Sequence, residues 1–114
     1  MTSDAGEMEQ ITPQQLKAWL DDASRPRPVL VDVREPWEIE VCRLPESVHV
    51  PMNTIPARAG ELDAAADTVL ICHHGARSFQ VGRYLEQRGF ARVHNLYGGV
   101  DAWARTVDPT MATY

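Results

Sequence analysis

The stretch Cys72-His73-His74-Gly75-Ala76-Arg77-Ser78 holds the residues whose types and spacing could do chemistry. Cysteine attacks as the thiolate, which is favoured at a helix amino terminus or beside a cation. The sequence predicts both. An apolar run before Cys72 reads as a strand and the residues from Ser78 as a helix. The cysteine therefore falls on a turn that feeds a helix amino terminus, whose free N–H groups and dipole attract an anion. Gly75 lets the backbone bend so that successive N–H groups converge on one point, and Arg77 adds positive charge. A thiolate in such a ring could attack an electrophilic sulfur, and the resulting Cys–S–S⁻ would keep its charge in the same ring. The competing expectation is a small buried hydrophobe at a strand end; the glycine, arginine and helix start downstream weigh against it. A loop histidine beside a thiolate gains a charge partner, which predicts imidazolium at His73 or His74 and a pH-dependent rate.

The elements that must position this loop are legible from their patterns. Residues 29–33 and 68–71 are near-continuous apolar runs rich in β-branched residues, as strands buried on both faces are. Shorter strands are expected at 47–50 and 92–96. Thr12 and Pro13 open a helix with Leu16, Trp19 and Leu20 at helical spacing. A short helix is expected over 34–40 with Pro36 near its start, and an interrupted one over 53–66. A further helix spans 78–88, with Gly89 as its stop and Phe90 folding back on it. Gly98-Gly99 turns the chain into Val100–Trp103. The domain is expected to span 8–108, between a flexible tail at 1–7 and a short irregular tail at 109–114. Strand–helix alternation at this spacing argues an α/β domain with a mostly parallel sheet and helices on both faces. Ligands of such sheets bind beyond the carboxyl ends of the strands, where the Cys72 loop lies.

Composition narrows the partners. The chain has 114 residues, enough for one compact domain, and its 44% hydrophobic and 24% charged residues are those of a globular protein. A formal net charge of −5 argues against nucleic acid and anionic lipid as partners. Residues 1–7 lack the basic and apolar regions of a secretory leader, and no apolar run could cross a bilayer, so a cytoplasmic protein with no membrane partner is expected. Cys42 and Cys72 alone make no disulfide framework. Cys72, His73 and His74, with Cys42, His49 and His94 elsewhere, are metal-ligand types. However, no CxxC, HxxxH or HExxH spacing occurs and adjacent histidines rarely chelate one tetrahedral ion, so no metal and no other cofactor is expected.

Cys72 to Ser78 resembles the CxxGxRS active-site loop of the rhodanese family. Three more segments follow in that family's order. Asp32-Val33-Arg34-Glu35-Pro36-Trp37-Glu38 resembles its DVREPWE segment, Leu44 to Pro51 its H-x-PGA-x-x-x-P segment, and Asn95 to Trp103 its closing NL-x-GG-[IV]-x-A-W motif. The resemblance implies a three-layer α/β/α sandwich around a mostly parallel sheet of about five strands. It implies a thiosulfate-type donor, a persulfide on Cys72, and cyanide or a reduced thiol as acceptor, with thioredoxin-like or sulfur-acceptor proteins as further partners. Backbone N–H groups of His73, His74, Gly75, Ala76, Arg77 and Ser78 would cradle the anion. Arg77 would orient a donor oxygen through its planar fork. Asp32 and Arg34 would brace the loop, and Gly98, Gly99 and Trp103 would pack.

The chain departs from the family at Cys42-Arg43, where Gly-His is common, and at Pro45-Glu46-Ser47, where Pro-Gly-Ala is. Cys42 could be a second redox thiol or a buried small residue; Arg43 could add charge at the cleft mouth. Three rivals stand. Cysteine phosphatases and arsenate reductases place five residues between cysteine and arginine; here there are four, a narrower cradle that suits one sulfur better than a phosphate. A non-catalytic regulatory module would usually lose the cysteine. A sulfur relay between proteins would keep the chemistry and change the donor.

Overall fold

The computed structural model describes residues 8–114, and the tail expected over 1–7 lies outside them. Five strands form one sheet: β1 (Glu9–Ile11), β2 (Val29–Asp32), β3 (Val48–His49), β4 (Thr68–Ile71) and β5 (Val93–Leu96). Their spatial order is β1-β5-β4-β2-β3, and every pairing is parallel. The helices are α1 (Pro13–Leu20), α2 (Pro36–Val41), α3 (Ile55–Arg58), α4 (Ala76–Gln87) and α5 (Gly99–Thr106). Short 3₁₀ turns flank α3 at Met52–Thr54 and Ala59–Glu61, as the interrupted pattern predicts.

The continuous apolar runs follow from burial on two faces. Leu30, Val69, Ile71 and Leu96 point to the side covered by Leu16 and Trp19 of α1 and by Val100 and Trp103 of α5. Val31, Val33, Leu70, Cys72 and Val93 point to the other side, covered by Ile55 of α3 and by Val81 and Leu85 of α4. Alternate residues therefore serve different cores, and the result is the expected three-layer α/β/α sandwich. Local signals set the helix ends. Thr12 Oγ1 accepts from the Gln15 N–H at 3.1 Å while Gln15 Oε1 accepts from the Thr12 N–H at 2.9 Å, a closed capping box ahead of Pro13. The Phe90 N–H returns to the Leu85 carbonyl at 3.1 Å where α4 stops.

Two features depart from expectation. β1 was not expected: Glu9-Gln10-Ile11 pairs with β5 at the sheet edge, in register with His94, Asn95 and Leu96. The segment after α5 is irregular, as expected, but it packs on the domain, which the sequence did not indicate. Its turn is fixed by Asp108 Oδ1, which accepts from the Thr110 N–H at 3.2 Å and from the Thr110 hydroxyl. The chain then returns over the α1–α5 side, where Met111 and Tyr114 pack on that core.

The topology makes a crevice where chemistry can sit. From β2 the chain crosses to β3 on one side, and from β4 it crosses to β5 on the other. The connections diverge at the carboxyl ends of β2 and β4, the place where α/β sheets bind ligands. Asp32 and Ile71 are paired across these strands, so Arg34 and Cys72 leave adjacent strand ends. Among the described residues no helix is long and apolar enough to cross a membrane.

Candidate active site

Three donors converge on the sulfur of Cys72. The Gly75 N–H lies 3.1 Å from Sγ, the Ser78 N–H 3.4 Å and the Ser78 hydroxyl 3.2 Å. The loop achieves this by turning its carbonyls outward. The Val100 N–H binds the Cys72 carbonyl at 2.9 Å and the Asp101 N–H binds the His73 carbonyl at 3.1 Å, so the amino end of α5 holds one side of the loop. Asn95 Nδ2 on β5 holds the Gly75 carbonyl at 3.1 Å. Gly75 stands at the N-cap of α4 with φ +107°, a conformation that side chains resist. With the Cys72, His73 and Gly75 carbonyls held by α5 and β5, the loop turns the Gly75 and Ser78 N–H groups to the sulfur; of the six N–H groups expected to form the cradle, these two reach it. The first N–H groups of α4 also have no intrahelical acceptor. The turn that carries Gly75 and the helix start thus brings two main-chain N–H groups to Sγ, and N–H groups gathered at a helix amino terminus attract anions.

The wall opposite the loop is an ion-pair lattice. Arg34 and Asp32, both fully buried, join through Nε and Nη2 at 2.7–3.1 Å. Arg34 Nη2 also binds the Cys42 carbonyl at 2.7 Å. Burial opposes the Arg34 charge, but its bonds to Asp32 and Tyr114 outweigh that and hold the guanidinium protonated. Asp32 and Arg34 thus tie β2 to the carboxyl end of α2. Arg34 makes no hydrogen bond to the Cys72 loop among the described residues and is linked to it through Tyr114, which stacks on His73, and through Glu38, which holds Arg77. Arg77, expected to orient a donor oxygen, has its fork on the Glu38 carboxylate at 2.7 and 2.8 Å. That guanidinium holds the Glu38 carboxyl down at about 2, against the cost of its burial.

Tyr114 closes the lattice. Its hydroxyl donates to Glu38 Oε1 at 2.8 Å and accepts from Arg34 Nη1 at 2.8 Å. Its ring stacks on His73 with centroids 4.0 Å apart and planes 11° off parallel, and meets Trp37 edge-on at 5.5 Å. Burial, countered by Arg34 and assisted by Glu38, pushes its phenol up to about 12. Cys72 itself is only 1% exposed.

Burial, and then the neighbouring His74, push His73 below the usual histidine range, which works against an imidazolium there. The cause is the position under Tyr114, which removes water from the ring. His73, His74 and Asp101 do bring ligand-type atoms within 4.8 Å of one another. The two imidazoles lie face to face at 4.0 Å and 27°, however, so their in-plane lone pairs run side by side rather than toward a common ion. His49 and His94 are engaged elsewhere, by the Arg34 carbonyl and by Asp67.

Of the departing segment, Cys42 is half-buried with its sulfur 3.8 Å from Arg34 Nη1, and Arg43 binds the Ser47 carbonyl of its own turn. Four residues of the site were given no role by the sequence reading: Glu38, Asn95, Asp101 and Tyr114. The first two were visible only as motif members. Tyr114, in a segment expected to be irregular, carried no signal.

The profile of the Rhodanese-like domain matches residues 12–106. A sulfurtransferase of Allochromatium vinosum is 45% identical over 84 residues, which cover 74% of this chain and 78% of that one. The thiosulfate sulfurtransferase GlpE of Pseudomonas syringae is 34% identical over 100 residues, 88% of this chain and 91% of that one. A crystal structure of a Staphylococcus saprophyticus protein superposes with a TM-score of 0.79 at 35% identity, covering 88% of this chain and 97% of that one.

Proposed function

This chain belongs to the family of rhodanese-like domains, and from that membership we propose that it is a sulfurtransferase that carries sulfur on Cys72 as a persulfide. The observation that carries the proposal is the set of three donors at the amino end of α4 around one sulfur atom. The Cys72 thiolate attacks the outer sulfur of a thiosulfate-type donor. A new S–S bond forms to Sγ, the donor's own S–S bond breaks, and sulfite leaves with that electron pair. The persulfide keeps one negative charge, and the loop N–H groups that faced the thiolate receive it. Cyanide or a reduced thiol then attacks the terminal sulfur, which leaves as thiocyanate or as the acceptor's persulfide and restores the thiolate. A thioredoxin-like or other sulfur-acceptor protein would serve in the same second step.

The Arg77–Glu38 pair supports sulfur over phosphate as cargo. A loop that binds a phosphoryl group needs its arginine free to span two oxygens, and here a carboxylate already occupies that fork.

Incubation with thiosulfate is expected to add the mass of one sulfur atom to the protein, removable by cyanide. Cys72→Ser is expected to take up none and to lose thiosulfate:cyanide transfer while keeping its fold. Uptake by the serine variant, or none by the parent, would overturn the assignment.

A further inference from the structure

Gln10 is an exposed residue on the edge strand β1, where a polar side chain ordinarily needs no partner but water. Its carboxamide is nonetheless committed to a buried group. In the parallel pairing of β1 with β5, Gln10 lies opposite Asn95, and Gln10 Oε1 accepts from Asn95 Nδ2 at 2.9 Å. Asn95 shares with Val93 the face of the sheet that α4 covers, which is the face that meets the Cys72 loop.

Asn95 is 2% exposed, and its amide is fully engaged. Nδ2 donates to Gln10 and to the Gly75 carbonyl at 3.1 Å, and Oδ1 accepts from the Ser78 hydroxyl. Gly75 and Ser78 are the two residues whose donors reach Cys72 Sγ. The contacts from Gln10 to the sulfur are therefore continuous: Gln10 holds Asn95, Asn95 holds Gly75 and Ser78, and both of these face Sγ. Loss of the Gln10 oxygen would leave one buried Asn95 N–H without its acceptor, which is costly. A rotation of the amide that relieves it gives up the Gly75 carbonyl or the Ser78 hydroxyl, and the donors at the sulfur lose their aim.

We infer that Gln10 is a positioning residue for Cys72: its carboxamide oxygen fixes the Asn95 amide, and through it the Gly75 turn and the Ser78 hydroxyl that face the sulfur. The role rests on Cys72 as the nucleophile of the sulfurtransferase reading, and alkylation reports on it without sulfur transfer. Two rates are measured in the intact chain at neutral pH: alkylation of Cys72 by iodoacetamide, on a Cys42→Ala background with peptide mass mapping, and uptake of sulfur from thiosulfate. Gln10→Met keeps the length of the side chain and removes the oxygen. It is expected to slow both rates by about three- to tenfold, the scale of one neutral hydrogen bond. Gln10→Glu keeps acceptor oxygens at an exposed position where its charge is screened, and it is expected to recover most of the rate. Ile11→Val weakens the packing of the same strand on the other side of the sheet and is expected to leave both rates near the parent's. Thermal melts confirm that each variant is folded; if Gln10→Met is not, Gln10→Ala decides. Alkylation at the parent rate in the folded Gln10 variant overturns the role, as does equal slowing by Ile11→Val or no recovery in Gln10→Glu. Slower alkylation in Gln10→Met, with no sulfur uptake even by the parent, would overturn the sulfur-transfer reading and leave the positioning role standing.

Discussion

The two N–H edges of the Arg77 guanidinium meet the two carboxylate oxygens of Glu38 at 2.7 and 2.8 Å. The same carboxylate accepts the Glu35 N–H at 2.9 Å and the Tyr114 hydroxyl at 2.8 Å. Glu38 is almost wholly buried while Arg77 remains about one-third exposed. The arginine that follows the cysteine loop in sequence is thus a strut between α4 and α2, and Glu38 is the hub that joins it to Arg34 and Tyr114.

Arg77→Ala is therefore expected to cost stability as well as activity. It strands a buried carboxylate, a loss on the order of 2 kcal/mol after discounting for the partly exposed arginine. The pH dependence has a defined sign. Glu38 is held at about 2 in the fold against an ordinary 4.5. Its contribution is fully present above pH 4.5 and is lost as the pH falls from there toward 2, because the unfolded chain takes up the proton first. In urea unfolding followed from pH 6 to pH 2, Glu38→Gln should flatten the acid limb. An acid limb identical to the parent's would show that Glu38 does not carry it.

The contrast between what the sequence disclosed and what it hid follows the range of the interactions. Residues 29–33 and 68–71 announced themselves because burial on both faces leaves a single polar position in each, Asp32 and Thr68. The Cys72 loop did so because glycine, arginine and helix start act within seven residues of one another. β1 hid because an edge strand of three residues, two of them polar, needs only backbone partners on β5. Arg77 was legible as a cation but not as a strut, since its partner lies 39 positions away. Tyr114 was the least legible: its contacts with Arg34 and Glu38 span 80 and 76 positions, and no periodicity marks a single aromatic near a turn.

Gly99 supplies a second test of how the loop is held. It opens α5 at φ +63°, and a Cβ there would collide with the carbonyl oxygens of Cys72 and His73. Those carbonyls are the ones the Val100 and Asp101 N–H groups grip, so the glycine sets how closely α5 approaches the loop. Gly99→Ala combines a strained backbone with a clash and should cost about 3 kcal/mol or more. Leu96→Ala, which removes a core side chain on the same side of the sheet, should cost a similar amount. If the glycine acts on the loop, only Gly99→Ala should also slow alkylation of Cys72 in the molecules that remain folded. Equal slowing in both variants would reduce Gly99 to a packing residue.

Ser78 has one hydroxyl proton and two claimants for it. Its oxygen lies 3.2 Å from Cys72 Sγ and also contacts Asn95 Oδ1. The Asn95 amide cannot turn to relieve the competition, because its Nδ2 donates to the Gly75 carbonyl at 3.1 Å and to Gln10 Oε1 at 2.9 Å. With a neutral thiol at Cys72, the proton belongs to Asn95. With a thiolate or persulfide, the stronger acceptor draws it to sulfur. Ser78→Ala removes that adjustable donor and leaves the Asn95 oxygen without its partner. The variant should lose about 1–2 kcal/mol of stability and slow sulfur uptake by Cys72 roughly ten- to a hundredfold, the scale of one hydrogen bond to a charged group. Ser78→Thr keeps the hydroxyl and should recover much of the rate if the added methyl is tolerated in the melt. Uptake at the parent rate in folded Ser78→Ala would assign the stabilisation of sulfur to the Gly75 and Ser78 N–H groups alone.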